Sequence, residues 1–327
     1  MLPRTVFFAL IFLLALGLFA ERLTAEELTL KQTGTGYEVF IGENIFAGYL
    51  TDFRGTPVLY PIVGPTGKHM TRDFPWQEGY PGMRRDHAHH RSFWFAHGSV
   101  NGIDFWNASA KIVHKRFIKA ECDGQTALIV TENDWMTNDG QHLCSDVRTF
   151  RFSVSGDKRV IDFDVTVTAA QERVLFGDTK EGIFGLRVPE TIGVEVREGT
   201  GGGRFVNAEG KVGELNAQER LNEEAWGKRS AWVSYYGKLD GETVGIAILN
   251  HPSSFRFPTY WHVRGYGLFA ANPFGITDFE SLATKQAGDL LLSKGESFTL
   301  RYRVLFHKGG PEEAKVAEAY QEYAEQK

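Results

Sequence analysis

The sequence predicts an all-β fold, a large antiparallel β-sandwich with a short C-terminal helix, and three observations predict it. Apolar residues in nearly every hydrophobic segment alternate with period two, which is the pattern of a strand with one buried face. These segments are short and are bounded by glycine or by Asn/Asp turns. Helix signals are confined to two stretches, so crossover helices that would support a parallel sheet are missing from the pattern.

Taken in order, the clearest strands are Gly36 to Ile41, Thr126 to Thr131, Thr149 to Ser153, Val160 to Thr168, Thr243 to Leu249 and Phe298 to Phe306. In the last of these, Phe298, Leu300, Tyr302, Val304 and Phe306 share one face, while Thr299, Arg301 and Arg303 share the other. Gly199 to Gly203 reads as a loop between strands, because no strand-to-helix phosphate pattern surrounds it. A short polar helix is expected at Ala217 to Trp226. A terminal helix is expected to open at Pro311, with Glu312 and Glu313 in its first turn. With Ala314, Ala317, Tyr320 and Tyr323 at helical spacing, it would cap a sheet edge. No linker, low-complexity tract or internal repeat divides residues 26–327, which are expected to form one domain.

Residues 1–25 read as a secretory signal peptide: Arg4 supplies the positive charge, and the apolar run from Val6 to Ala20 falls short of the ~20 residues that span a bilayer. The mature protein is therefore expected to be exported, periplasmic or extracellular, with no membrane attachment after cleavage. A formal charge of −5 with interspersed acids and bases gives no basic stripe, so nucleic acid is not an expected partner. Cys122 and Cys144 lie on segments that could be neighbouring strands, and a disulfide and two separate buried thiols both remain open.

Chemistry concentrates in Asp86-His87-Ala88-His89-His90-Arg91-Ser92-Phe93-Trp94-Phe95-Ala96-His97-Gly98, which holds four of the ten histidines. Trp76, Glu78, Arg84 and Arg85 precede it and Asp104-Phe105-Trp106 follow. If the stretch is extended, His87 and His89 project from one face and His90 from the other, the strand route to two metal ligands. A third ligand would come from His97, His262, Glu181 or Glu78. The alternative, which the lack of a second spaced pair favours, is a hydrogen-bonding cluster that grips a polar substrate without metal. No cofactor is expected on that reading, and a divalent metal on His87 and His89 is the other.

Trp76, Trp94, Trp106, Trp226 and Trp261 stand beside polar and basic residues, a setting that suits the apolar face and hydroxyl rim of a sugar. Glu181 follows Asp178 and Lys180 and precedes Gly182, a reasonable place for a tuned carboxylate. On a strand, His262 and Arg264 share a face, and Arg264 could meet a substrate oxygen or Glu181.

At these motifs the chain resembles the PmoA-like family, labelled "methane oxygenase PmoA", a group common among exported bacterial proteins. The resemblance rests on Gly64-Pro65-Thr66-Gly67 with Thr71-Arg72-Asp73, on Asp86 through Arg91 to Asp104-Phe105-Trp106, on Asp178 to Arg187, and on His262-Val263-Arg264 through Asn272-Pro273-Phe274-Gly275. It implies a sandwich similar to the galactose mutarotase-like supersandwich. The methane-oxidising membrane role in the label conflicts with a chain that has no spanning helices after the leader. The resemblance brings no catalytic residues with it.

The expectation is an exported carbohydrate-active enzyme, a glycoside hydrolase or lyase or an epimerase-like enzyme, acting on a carbohydrate or other polyhydroxylated small molecule. His87, His89 and His262 would bind and polarise sugar oxygens, with Glu181 as general acid or base. Arg72, Arg91, Arg264 and Asn272 would orient hydroxyls or a carboxylate, and Trp76 or Trp94 would stack on the ring. The alternatives are a non-catalytic carbohydrate-binding protein and a copper or zinc enzyme built on His87 and His89.

Overall fold

The computed structural model describes residues 27–77, 83–215, 221–284 and 286–326. Two large sheets dominate it, and every strand pair in them is antiparallel. The first has eight strands in the order Leu28–Thr33, Gly36–Ile41, Asn44–Leu50, Val58–Ile62, Phe93–Phe95, Phe184–Arg187, Leu268–Asn272 and Tyr260–Val263. The second has ten: Leu221–Glu223, Val212–Leu215, Arg204–Asn207, Trp232–Leu239, Glu242–Asn250, Ser297–Lys308, Lys158–Ala169, His142–Ser155, Thr126–Met136 and Lys111–Cys122. A two-stranded ribbon pairs Val174–Phe176 with Leu290–Leu292.

Period-two alternation builds the core between the sheets. Phe298, Leu300, Tyr302, Val304 and Phe306 are all buried, as their spacing predicts. Across the interface Phe93 meets Phe163 at 5.2 Å between ring centroids, Phe184 meets Tyr302 at 5.1 Å, and Phe46 meets Phe152 at 5.7 Å. Rings at such angles and distances supply both apolar burial and favourable edge contacts. The strands outrun their alternating segments because the ladder continues through polar ends: Thr126 to Thr131 is the start of a strand that runs to Met136, and Thr149 to Ser153 lies within His142–Ser155.

The outermost strand of the ten, Lys111–Cys122, is broken in register twice, between His114 and Arg116 and between Phe117 and Lys119. Lys111, Lys115, Arg116 and Lys119 lie along it, and Val113 and Ile118 are exposed.

The helix expectations need correction. Leu221–Glu223 is a strand paired with Val212–Leu215, and residues 224–227 form a turn, so the part of Ala217 to Trp226 that is described is not helical. Residues 216–220 lie outside the described residues, as do residues 1–25, where a leader is expected. The terminal helix runs Val316–Ala324, five residues later than Pro311 suggests. Residues 311–315 are a turn closed by Val316 N–H on the Pro311 carbonyl, and Lys315 sits at φ 52°, which ends any helical continuity there. Its buried residues, Val316 and Tyr323, pack with Ala314 on Val160, Leu249 and Leu305. Those belong to central strands, so the helix covers a sheet face and not an edge.

Cys122 and Cys144 sit on either side of the Thr126–Met136 strand, one opposite Ala127 and the other opposite Trp135. That places them at opposite ends of the intervening strand, and both thiols are free. The Cys122 thiol donates to the Leu28 carbonyl at 3.1 Å.

Candidate functional site

Four adjacent short strands, Phe93–Phe95, Phe184–Arg187, Leu268–Asn272 and Tyr260–Val263, carry the site on the face turned away from the ten-stranded sheet. Phe93, Phe95 and Phe184 point inward onto Phe163, so Trp94, Gly185 and Arg187 point outward. Register sets Trp94, Gly185, Ala270 and His262 in one row across the four strands. The Trp94 indole lies flat across Gly185, where a Cβ would stand 2.5 Å from the ring. Two small residues in the row thus make room for one large one.

Over this face folds the histidine-rich segment, and it is not extended. His90 N–H donates to the His87 carbonyl at 2.8 Å, closing a turn with His87 at φ 45°. The turn replaces the strand alternation expected for His87, His89 and His90. It brings His87 and His90 together instead, with nearly parallel rings 4.8 Å apart, while His89 meets both edge-on. The stack continues to Trp94 on the His90 side at 5.3 Å and to Tyr266 on the His87 side at 5.2 Å.

Asp86 anchors the segment. Its carboxylate accepts from Arg72 Nη1 at 3.0 Å, Arg84 Nε at 3.1 Å and Arg187 Nη2 at 3.3 Å, with His87 Nδ1 at 3.2 Å. Burial pushes this carboxyl up, but Arg187, Arg84, His87 and Arg72 outweigh it and hold it at about 2. Arg187 is fully buried, donates Nη1 to His90 Nδ1 at 3.0 Å and lies 4.8 Å from the Tyr266 centroid. Burial and the neighbouring Arg72 pull its guanidinium down to about 10. Burial also lowers His89 to about 4 and keeps His90 far below the ordinary imidazole range, so both are neutral at physiological pH.

The other two sequence blocks reach the same place. His262 donates Nδ1–H to the Lys180 carbonyl at 2.9 Å, and its Nε2 accepts from Arg264 Nε at 3.3 Å. Both ring nitrogens are therefore committed. Burial, reinforced by Arg264, drives this imidazole down to about 3, which keeps it the neutral acceptor that Arg264 requires. Arg264 lies 4.8 Å over the Trp226 ring. The Glu181 carboxylate stands 3.3 Å from Lys180 Nζ. Tyr266 is where the blocks converge: burial raises its hydroxyl to about 12, with Arg187 and Arg264 lowering it and Glu181 and Asp86 raising it. His87, Tyr266, Trp226, Arg84, Arg264, Lys180 and Glu181 all keep some exposure to solvent.

Other expected site residues lie elsewhere or are already engaged. Trp94 is buried beneath His90. Trp76 is sandwiched between Phe53 and Tyr60, at 4.1 Å from each. Asn272 uses its amide on backbone, donating to the Thr179 carbonyl at 2.8 Å and accepting from Phe274 N–H at 2.9 Å. Arg91 is buried with no hydrogen-bond partner for its guanidinium among the described residues. Arg72 grips Asp86 and the His87 carbonyl from below. His97 donates Nε2–H to the Gly177 carbonyl at 2.9 Å in the interior. Glu78 lies outside the described residues. The His87 and His89 rings are 5.6 Å apart, and among the described residues no group of three or more His, Cys, Asp or Glu side chains is placed to hold a metal.

Sequence reasoning passed over Tyr266 and Arg187. The signals were present: Tyr266 is an aromatic framed by Gly265 and Gly267, and Arg187 is a cation closing the otherwise apolar Phe184-Gly185-Leu186 run.

Fold and site together define an all-β, two-sheet antiparallel protein with a charged, ring-lined patch on the outer face of its smaller sheet. The chain belongs to the family of unknown function DUF6807, whose model matches residues 37–321. That match overturns the resemblance to the PmoA-like family. No curated protein matches the chain. Among solved structures it is similar to the galactosidase domain of an alpha-galactosidase-sucrose kinase, at 12% identity and a TM-score of 0.39, covering 87% of this chain and 41% of that one. It is also similar to a galactose mutarotase-like protein from Clostridium acetobutylicum, at 10% identity and a TM-score of 0.33, covering 86% and 99%. A third likeness is to a polysaccharide lyase, at 12% identity and a TM-score of 0.32, covering 87% and 33%. The chain thus spans less than half the length of the first and third.

Proposed function

We propose that the outer face around Tyr266 binds a carbohydrate or other polyhydroxylated small molecule, and that the protein is an exported enzyme acting on it as a hydrolase, lyase or epimerase-like catalyst. One observation carries the proposal: three sequence-distant blocks place the partly exposed rings of His87, Tyr266 and Trp226 beside Arg84, Arg264, Lys180 and Glu181. Flat rings edged by charged donors match a sugar's apolar face and its hydroxyl rim. In this reading Glu181 is the general acid or base, and His87 and Arg264 polarise sugar oxygens. His262 is a positioning residue that holds Arg264.

A screen of glycosides and sugar epimers against the purified protein tests the reading. Glu181→Gln abolishes turnover and leaves sugar binding within about tenfold, ~1.4 kcal/mol. Unchanged turnover in that variant removes Glu181 from the mechanism. A second reading, a non-catalytic sugar-binding protein, is favoured by the pairing of Glu181 with Lys180. Sugar binding without product from any substrate would select it. Export is tested separately, by the mass of the mature chain recovered outside the cytoplasm.

A further inference from the structure

We propose that the ligand of the outer face is a neutral oligosaccharide at least two sugar rings long, with one ring on Trp226, the next on Tyr266 and His87, and their linkage beside Glu181 and Arg264. The inference rests on the carbohydrate reading above and narrows its substrate class.

Two ring platforms stand apart on this face. Tyr266 sits on the turn that joins Tyr260–Val263 to Leu268–Asn272, closed by Gly267 N–H on the Arg264 carbonyl at 2.9 Å, and its ring lies parallel to His87 at 5.2 Å. Trp226 belongs to the 224–227 turn, which docks further back on the same hairpin. There Gly227 N–H donates to the Trp261 carbonyl at 2.8 Å, and the indole meets Phe279 at 5.6 Å and His262 at 6.5 Å, both at steep angles. From His262 to the turn at Gly265 the chain covers about 10 Å, at the rise of an extended strand. Among the described residues no ring contact joins Trp226 to Tyr266. Both rings and His87 are partly exposed. One pyranose cannot cover both platforms, so a ligand that stacks on each has at least two rings.

The groups between the platforms are those a linkage would meet. Arg264 lies 4.8 Å over the Trp226 ring, and its Nε bonds His262, whose Nδ1–H holds the Lys180 carbonyl at 2.9 Å. Glu181 follows directly in the chain, and its charge adds to burial in raising the Tyr266 hydroxyl, which sets it towards the second platform. Charges at the face are matched: Lys180 pairs with Glu181 at 3.3 Å, and Arg84 with Glu195 at 2.6 Å and with Asp86 at 3.1 Å. Paired charges still exchange hydrogen bonds with hydroxyls but select no carboxylate or sulfate, so the glycan is neutral.

Isothermal titration of the full chain with neutral mono-, di- and trisaccharides of glucose, galactose, mannose and xylose tests the proposal. For the sugar that binds, the disaccharide should bind at least about tenfold more tightly than its monosaccharide. Trp226→Ala should bring the two to within about threefold of each other and leave the monosaccharide within about twofold of its original affinity. The chain-length comparison needs only the native protein, so it decides the matter even if Trp226→Ala fails to fold. Equal affinity for monosaccharide and disaccharide, or an advantage of the disaccharide that survives in folded Trp226→Ala, overturns this inference and leaves the carbohydrate reading standing. If no sugar of any length binds, that reading falls and the inference falls with it.

Discussion

The ten-stranded sheet holds a buried carboxylate, Asp146, and the outer face of the eight-stranded sheet holds Asp86; arginines serve both, in different ways. Asp146 accepts from Asn133 Nδ2 at 2.6 Å and Arg148 Nε at 2.9 Å on one oxygen, and from Trp135 Nε1 at 2.7 Å and Arg148 Nη2 at 2.8 Å on the other. One cation meets one anion, and every partner comes from two neighbouring strands. Asp86 collects three arginines drawn from three separate parts of the chain, and a third of its side chain is exposed. A balanced, closed network fixes the pairing of strands. An open one, whose arginines reach Glu190 and Glu195 as well as Asp86, ties a loop to separate parts of the chain next to solvent.

Replacing each carboxylate in turn separates the two roles. Asp146→Asn leaves Arg148 buried without a counter-charge and should cost about 3–5 kcal/mol in chemical denaturation, the largest effect expected here, with ligand affinity of the folded fraction unchanged. Asp86→Asn sits where water can replace part of the loss, so about 2 kcal/mol of stability is expected, accompanied by a marked loss of sugar binding as the His87 turn loosens. If the ligand effect followed Asp146 and not Asp86, the contrast between the networks would fail.

A third effect is one of pH. His89 has a folded value of about 4, below its ordinary 6.5, so the unfolded chain takes up that proton first. Its contribution to stability is complete above about pH 6.5 and is lost as pH falls towards 4. Asp86, held at about 2 against an ordinary 3.8, contributes above 3.8 and loses that contribution as pH falls through 2. Thermal melts over this range should show the imidazole stage first, and His89→Gln should flatten it.

The sandwich was legible because its physics is local. Burial of alternate residues writes a period of two into Phe298 to Phe306 whatever the partner strand is. Turns and ring stacks are not written that way. His87 and His89 looked like strand neighbours because spacing alone cannot show that His90 N–H folds back on the His87 carbonyl. The terminal helix started late because Pro311 and two glutamates mark a helix start, while the left-handed Lys315 that delays it carries no sequence signal. Within the site, His87, Glu181, His262 and Arg264 could be singled out by residue type. That Tyr266 gathers them could not, since it depends on four strands of distant sequence lying side by side. Trp76 and Asn272 illustrate the converse: their chemistry suits a ligand, but neighbouring rings and backbone amides occupy them.

The doubly bulged Lys111–Cys122 strand bears on how crowded molecules of this protein coexist. An edge strand of a ten-stranded sheet is a template on which another chain can add, and its exposed Val113 and Ile118 would reward the addition. Two breaks in register spoil the straight row of amides and carbonyls that a newcomer must match. The irregularity that looks like poor sheet geometry thus makes this edge a poor template for a further strand.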